Sequence, residues 1–235
     1  MLLRLGVGRA CLRHSLYYGR NPRQYNWESI GTVGLIRILD CSRHPVAVSH
    51  RKKGRPWKPT RVEVAAARGQ TIADVIARHL RVLFCGINPS LYSAAIGHHF
   101  GRPGNRFWPT LHAAGFTDRL LSPFEDCELL GWGYGITNLV ARATATADEL
   151  TKQELLDGAA QLMRKVRRFK PACVAFVGIT AYRTAFGRNK ATFGMQRERL
   201  GTSGSWVLPN PSGLNAHYQI ADFAGLFREL RQCAS

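Results

Sequence analysis

The stretch RVLFCGINPS, Arg81 to Ser90, decides how the rest of the chain is read. Its first half, through Cys85, is a short apolar run that fits a buried parallel strand covered on both faces. Its second half cannot continue that strand. Gly86 is conformationally permissive, and Pro89 lacks a backbone donor and suits the first turn of a helix. The Asn before it can cap that helix. A strand ending in Gly-Ile-Asn-Pro therefore places Asn88 at the mouth of a sheet, where a hydrolase would more usually place a carboxylate.

The same grammar recurs along the chain. ACVAFVG (172–178) and GYGITNLV (133–140) read as strands, and SWVLPN (205–210) is a fourth that again ends in Asn-Pro. Helical patterns separate them: RFWPTLHAAG, TKQELLDGAAQLMRKVRRF with Leu155, Leu156, Ala159, Leu162, Val166 and Phe169 at helical spacing, TAYRTAFG, and a closing HYQIADFAGLFRELRQC. Upstream, VEVAAARG and TIADVIARHL also look helical, with Thr71 as N-cap of the second. Alternation of this kind predicts an α/β fold, a three-layer α/β/α sandwich around a short, mostly parallel four-stranded sheet. In such sheets ligands bind beyond the carboxyl ends of the strands.

The 235 residues carry a formal net charge of +18, which points to an anionic partner, with nucleic acid the default. Residues 1–70 hold fourteen Lys and Arg against Glu28, Asp40 and Glu63, a net +11; the remainder holds nineteen against twelve acids. The expected organisation is a basic, flexible extension over 1–70 and a moderately basic globular domain over 71–235. Within the extension, Lys53-Gly54-Arg55-Pro56 resembles an AT-hook, which lies in a narrow minor groove; a solvated basic linker is the plain alternative. The first twenty residues are Arg-rich and acid-free, like a transit peptide or a foldless upstream extension. The six cysteines show no C-x-x-C spacing, so zinc and iron–sulfur sites find no support, and no run approaches the ~20 apolar residues of a membrane span. No G-x-G-x-x-G or P-loop follows a strand.

Several separated segments occur together in order: GINPSLYSAAIGHHFGRPGNRFW, GFTDRLL, YGITNLVARAT, KQEL, AFVG and WVLPNPSGLNA. Together they resemble the mismatch-specific uracil-DNA glycosylases and the related thymine-DNA glycosylases, from about Thr71 to the C-terminus. The resemblance implies a DNA repair hydrolase that flips a uracil, or a thymine or damaged pyrimidine, out of a G·U or G·T mispair and breaks its glycosidic bond. It implies Asn88 as the water-positioning residue, Phe100 as the stacking platform, and Gly86, Ile87, Ser93 and Asn138 as the base pocket. His98 and His99 would shape the pocket wall. Asn210, Ser212, Gly213, Leu214 and Asn215 would form the wedge loop, with Leu214 entering the stack and Gly213 and Asn215 facing the orphaned base. Arg102 and Arg106 are candidate phosphate contacts. The sequence departs from familiar members at Asn215 and Ala216, where Ser and Arg are common.

No Lys stands where a Schiff-base nucleophile is expected, which implies a monofunctional glycosylase. The resemblance further implies a monomer acting on double-stranded DNA without cofactor, metal or membrane. Its compartment would be cytoplasmic and nucleoid-associated in a bacterium, nuclear or organellar in a eukaryote. A glycosylase of broader specificity on double- and single-stranded DNA, and a catalytically weak DNA-binding relative, stand as alternatives.

Overall fold

The computed structural model describes residues 58–213 and 219–234. Five strands form one sheet in the order β2-β1-β3-β5-β4: β1 (Val82–Gly86), β2 (Tyr134–Asn138), β3 (Cys173–Val177), β4 (Gly194–Met195) and β5 (Gly204–Leu208). The first, second, third and fifth are mutually parallel, with Val82 opposite both Tyr134 and Cys173. The sheet thus has one strand more than expected: β4 is a two-residue antiparallel strip on the outer edge of β5. So short a segment carries no periodic signal in sequence, yet it covers an edge that would otherwise present unpaired backbone.

The pleat sorts the strand residues onto two faces. Val82, Phe84, Ile136, Ala175, Val177 and Leu208 face α3 (Phe107–Ala113) and α6 (Ile220–Cys233), where Phe107, Phe223 and Phe227 are fully buried. Phe84 meets Phe107 and Phe116 edge-on at 5.4 Å between centroids. Cys85, Val174, Phe176 and Val207 face α4 (Lys152–Phe169) and α5 (Ile179–Phe186). Each fully buried side chain of this size contributes about 1.5–3 kcal/mol. Helix α4 begins with a capping box between Thr151 and Glu154 and ends on Arg167 and Arg168, which suit the negative end of its dipole. A kinked 3₁₀ segment, Pro123–Trp132, packs Leu129 into the core beside β2.

Two expectations change upstream of β1. Residues 71–80 are not a helix. Val75 forms an antiparallel bridge with Ile136, exchanging hydrogen bonds of 2.9 and 2.8 Å. Asp74 is held by Lys165 at 2.6 Å and by the Thr137 hydroxyl at 2.7 Å. Tertiary partners on β2 and α4 override the local helical spacing. Second, the described body begins before Thr71: α1 (Arg61–Ala66) is capped by Thr60 and Glu63 and packs on α2 (Leu91–Ile96), and Ala67 is 1% exposed. The basic run around Lys53–Pro56 lies outside the described residues.

Candidate active site

Beyond the carboxyl ends of β1, β2, β3 and β5 lies a cavity of about 430 Å³. It is walled by Ile87, Asn88, Pro89, Ser93, His99, Phe100, Arg102, Asn138, Asn210 and Ser212, with Val177 from β3 and the loop Thr144–Asp148 closing it. The two Asn-Pro strand ends, distant in sequence, thus share one cavity.

Asn88 does not cap the helix that follows. Ser90 does, its hydroxyl accepting from the Ser93 amide at 3.1 Å. The Asn88 amide is thereby released for other partners. Its Nδ2 donates to the Arg142 carbonyl at 3.0 Å and to the Thr144 hydroxyl at 2.7 Å. A carbonyl only accepts, so the amide orientation is fixed. The Thr144 hydroxyl donates in turn to the Thr146 carbonyl at 2.6 Å, so it too presents a lone pair to Asn88. Both amide protons are used, and among the described residues Oδ1 accepts nothing. The oxygen is left able to accept from a group in the cavity.

Phe100 adopts φ +52, a left-handed conformation that costs a non-glycine residue about 1–2 kcal/mol. Several contacts hold it there. Its ring stacks on Phe107 with centroids 3.9 Å apart and planes 18° apart. The next amide, Gly101, donates to the Ser93 hydroxyl at 3.0 Å. The preceding residue, His99, is pinned by its backbone: its N–H to Asp126 at 3.2 Å, its carbonyl to the Trp108 indole at 3.2 Å. Ser93 therefore acts on the turn that carries Phe100. His98 Nδ1 lies 3.2 Å from the same Asp126, and its ring meets Phe124 edge-on.

His99 is 2% exposed, and burial pushes its pKa below the ordinary value, partly opposed by Asp126. Its Nε2 lies 3.0 Å from the Ala73 carbonyl, which requires the proton on Nε2. Nδ1 then accepts, and Asn138 Nδ2 lies 3.4 Å from it. The tautomer set by Ala73 thereby sets the orientation of the Asn138 amide in the cavity wall. Gly86 pairs with Asn138 across β1 and β2, and a Cβ there would fall 2.5 Å from Asn138 Oδ1. Only glycine lets that side chain lie over the strand end.

Asn210 accepts from the Ser212 amide at 3.0 Å, closing a tight turn at the base of the second loop. A Cβ on Gly213 would lie 2.9 Å from the Gly104 carbonyl, so this loop and the Gly101–Gly104 turn approach backbone to backbone. Arg106, a candidate phosphate contact, reaches back onto the second loop. Its Nη2 donates to the Ser212 carbonyl at 2.8 Å and its guanidinium sits 4.9 Å over the Phe223 ring. It braces the loop. Arg102 is exposed at the cavity rim. Leu214 and Asn215 lie outside the described residues. Tyr92, given no role by the sequence, lines a neighbouring hollow of about 400 Å³ with Val64, Leu91 and Pro103, which shares Ser90, Arg102 and Ala145 with the first. Among the described residues no group of three His, Cys, Asp or Glu side chains is placed to hold a metal ion.

A strand-end cavity with one aromatic ring, two oriented amides and a basic rim is suited to a planar base and a water, on a chain of formal net charge +18. The chain belongs to the uracil DNA glycosylase superfamily, whose sequence profile matches residues 73–231. The family is one of DNA glycosylases, hydrolases of the bond between base and sugar. Among solved structures, the chain is similar to a candidate uracil DNA glycosylase of Methanosarcina acetivorans, determined by NMR in solution. That similarity is 20% in identity, covering 69% of this chain and 98% of the other, with a TM-score of 0.47.

Proposed function

We propose that the protein is a monofunctional glycosylase that excises uracil, and by extension thymine or damaged pyrimidines, from G·U and G·T mispairs, leaving an abasic site. The single observation behind the reading is the anchored Asn88 amide, whose two protons are taken by Arg142 and Thr144 so that Oδ1 is left to hold water. The base must leave the stack before it can reach such a cavity. It would lie on Phe100, itself backed by Phe107. The Asn138 amide matches the uracil edge: its oxygen accepts from the ring N–H and its nitrogen donates to the adjacent carbonyl oxygen. The bond breaks through an oxocarbenium-like state, the base departing with the electron pair, and the water on Asn88 then joins the sugar carbon and gives up a proton.

An amide orients water but is a poor base. Selectivity then rests on which bases flip and leave readily, and mispaired pyrimidines satisfy both conditions. Leu214 would fill the gap in the stack, offsetting an unstacking cost of a few kcal/mol. The test is an end-labelled duplex with one G·U pair, incubated with protein and treated with alkali to reveal abasic sites. G·U cleavage above A·U and single-stranded U supports the reading; equal rates on all three favour a glycosylase of broad specificity. No cleavage on any substrate leaves only a binding protein. Borohydride should trap no covalent adduct, and a robust adduct would contradict a monofunctional mechanism.

A further inference from the structure

The two acceptors that orient Asn88 are the Arg142 carbonyl and the Thr144 hydroxyl. They flank Ala143. What holds Ala143 is a segment upstream of the family match, which begins at residue 73. The Gly69 amide donates to the Ala143 carbonyl at 2.9 Å, and the Ala143 amide donates to the Gln70 carbonyl at 2.8 Å. Ala67, 1% exposed, packs with Ala143 at 0% and Ala94 of α2 at 7%. The contact is built from three small side chains, so backbones approach closely there. Gly69 takes φ +78 to turn the chain out of α1 into this two-way pairing.

A second strand of contacts reaches the same loop. Arg68 pairs with Glu149 through Oε2, while Glu149 Oε1 accepts from the Ala145 and Thr146 amides at 2.9 and 3.1 Å. On the far side Arg142 pairs with Glu154 at the start of α4 and donates to the Glu149 carbonyl at 3.1 Å. Residues 142–149 are thus held between α4 and the upstream segment, and the same residues wall the cavity and set the Asn88 amide.

We propose that Ala67–Gln70 is a positioning element of the active site, orienting Asn88 through Ala143 and its two neighbours. The family-matching region alone lacks this half of the clamp. The proposal rests on the reading of Asn88 as the water-holding residue. An exposed ion pair such as Arg68–Glu149 carries little by itself; the backbone pairing and the buried alanine contact carry the larger share.

The test uses the full chain and single-turnover excision from a G·U duplex at saturating enzyme, with duplex affinity measured separately. Ala67→Leu forces a branched side chain between Ala94 and Ala143. It should lower the excision rate constant by about 100-fold, the scale of a small misplacement of a reacting group. Duplex affinity should stay within about twofold, since the rim Arg102 is untouched. Arg68→Ala should cost about threefold and Arg68→Lys should restore most of it. In an Asn88→Ala background neither change should lower the residual rate further. Losses that multiply in that background, or an Ala67→Leu chain with wild-type excision, overturn the proposal. If thermal melts show that Ala67→Leu does not fold, the Arg68 pair and its cycle with Asn88→Ala decide alone. Wild-type turnover in Asn88→Ala is a separate outcome, which sinks the water-holding reading itself.

Discussion

Replacing Asn88 by aspartate keeps the size and shape of the side chain and changes only what it offers its partners. In Asn88→Asp two amide protons are lost opposite two acceptors, the Arg142 carbonyl at 3.0 Å and the Thr144 hydroxyl at 2.7 Å. The hydroxyl cannot turn to donate without giving up the Thr146 carbonyl. Each buried or half-buried acceptor left facing another acceptor costs about 1–3 kcal/mol, so the ionised side chain should destabilise the fold by about 2–4 kcal/mol. Protonation relieves part of that, because a protonated carboxyl can donate to Arg142. The folded-state pKa of the new carboxyl must therefore lie above its unfolded value. The folded state then binds more protons than the unfolded state between the two values, so stability falls as pH rises through that window and levels off above it. Thermal melts of Asn88→Asp and wild type from pH 4 to 8 read this directly: the gap should open with rising pH and then stay constant. Excision should fall below wild type throughout, although a carboxylate is the better base, because the oxygen that should face water is no longer uniquely placed. A variant as stable as wild type across the range, with equal excision, would refute the anchored-amide argument.

Gly86→Ala should lower excision by about tenfold or more while leaving the duplex bound, since its methyl would fall 2.5 Å from Asn138 Oδ1 and displace that amide in the cavity wall; single-turnover rates and a binding titration separate the two effects. Burial holds the His99 pKa below its ordinary 6.5, so the unfolded chain takes up a proton first and stability should drop as pH falls below that value; His99→Gln, melted over pH 5–7, should flatten that slope. The Glu154 carboxyl is held down to about 2 by its hydrogen bonds with Arg142 and the Thr151 amide. Its contribution is fully present above pH 4.5 and is lost as pH falls through about 2, so Glu154→Gln should remove an acid-sensitive step from melts in that window.

The strands and the Asn-Pro ends are legible in sequence because their signals are local. An apolar run stops at Gly86, a proline follows, and the motif order does the rest. The orientation of Asn88 is not local. Its partners stand 54 and 56 residues later, and nothing in their own types marks them as acceptors for an amide. The same holds for residues 71–80, where Ile72, Val75 and Ile76 carry a helix-like spacing. Asp74 meets Lys165 and Thr137 across the fold, and those contacts draw the segment into an extended path. Arg106 reads as one more surface cation, yet Phe223 and Ser212 capture it. In each case the sequence shows which group is present, and a distant partner decides which way it points.

That division explains why an asparagine can stand where a carboxylate is expected. A carboxylate needs donors around it, and the ends of β1 and β2 offer acceptors instead: the carbonyl of Arg142 and a hydroxyl already committed to Thr146. An amide is the side chain of this size that donates twice on one side and accepts on the other. Turning this site into one with a carboxylate therefore requires more than one substitution. The Arg142–Thr146 path would have to be rebuilt to present N–H groups, and with it Ala143 and the Gly69–Gln70 pairing that fixes it. On the proposed reading, a weaker catalyst would follow from the backbone around the site as much as from the residue within it. Asn88→Asp alone should consequently lose activity, and recovery should require changes in the 142–146 loop before any at the cavity floor.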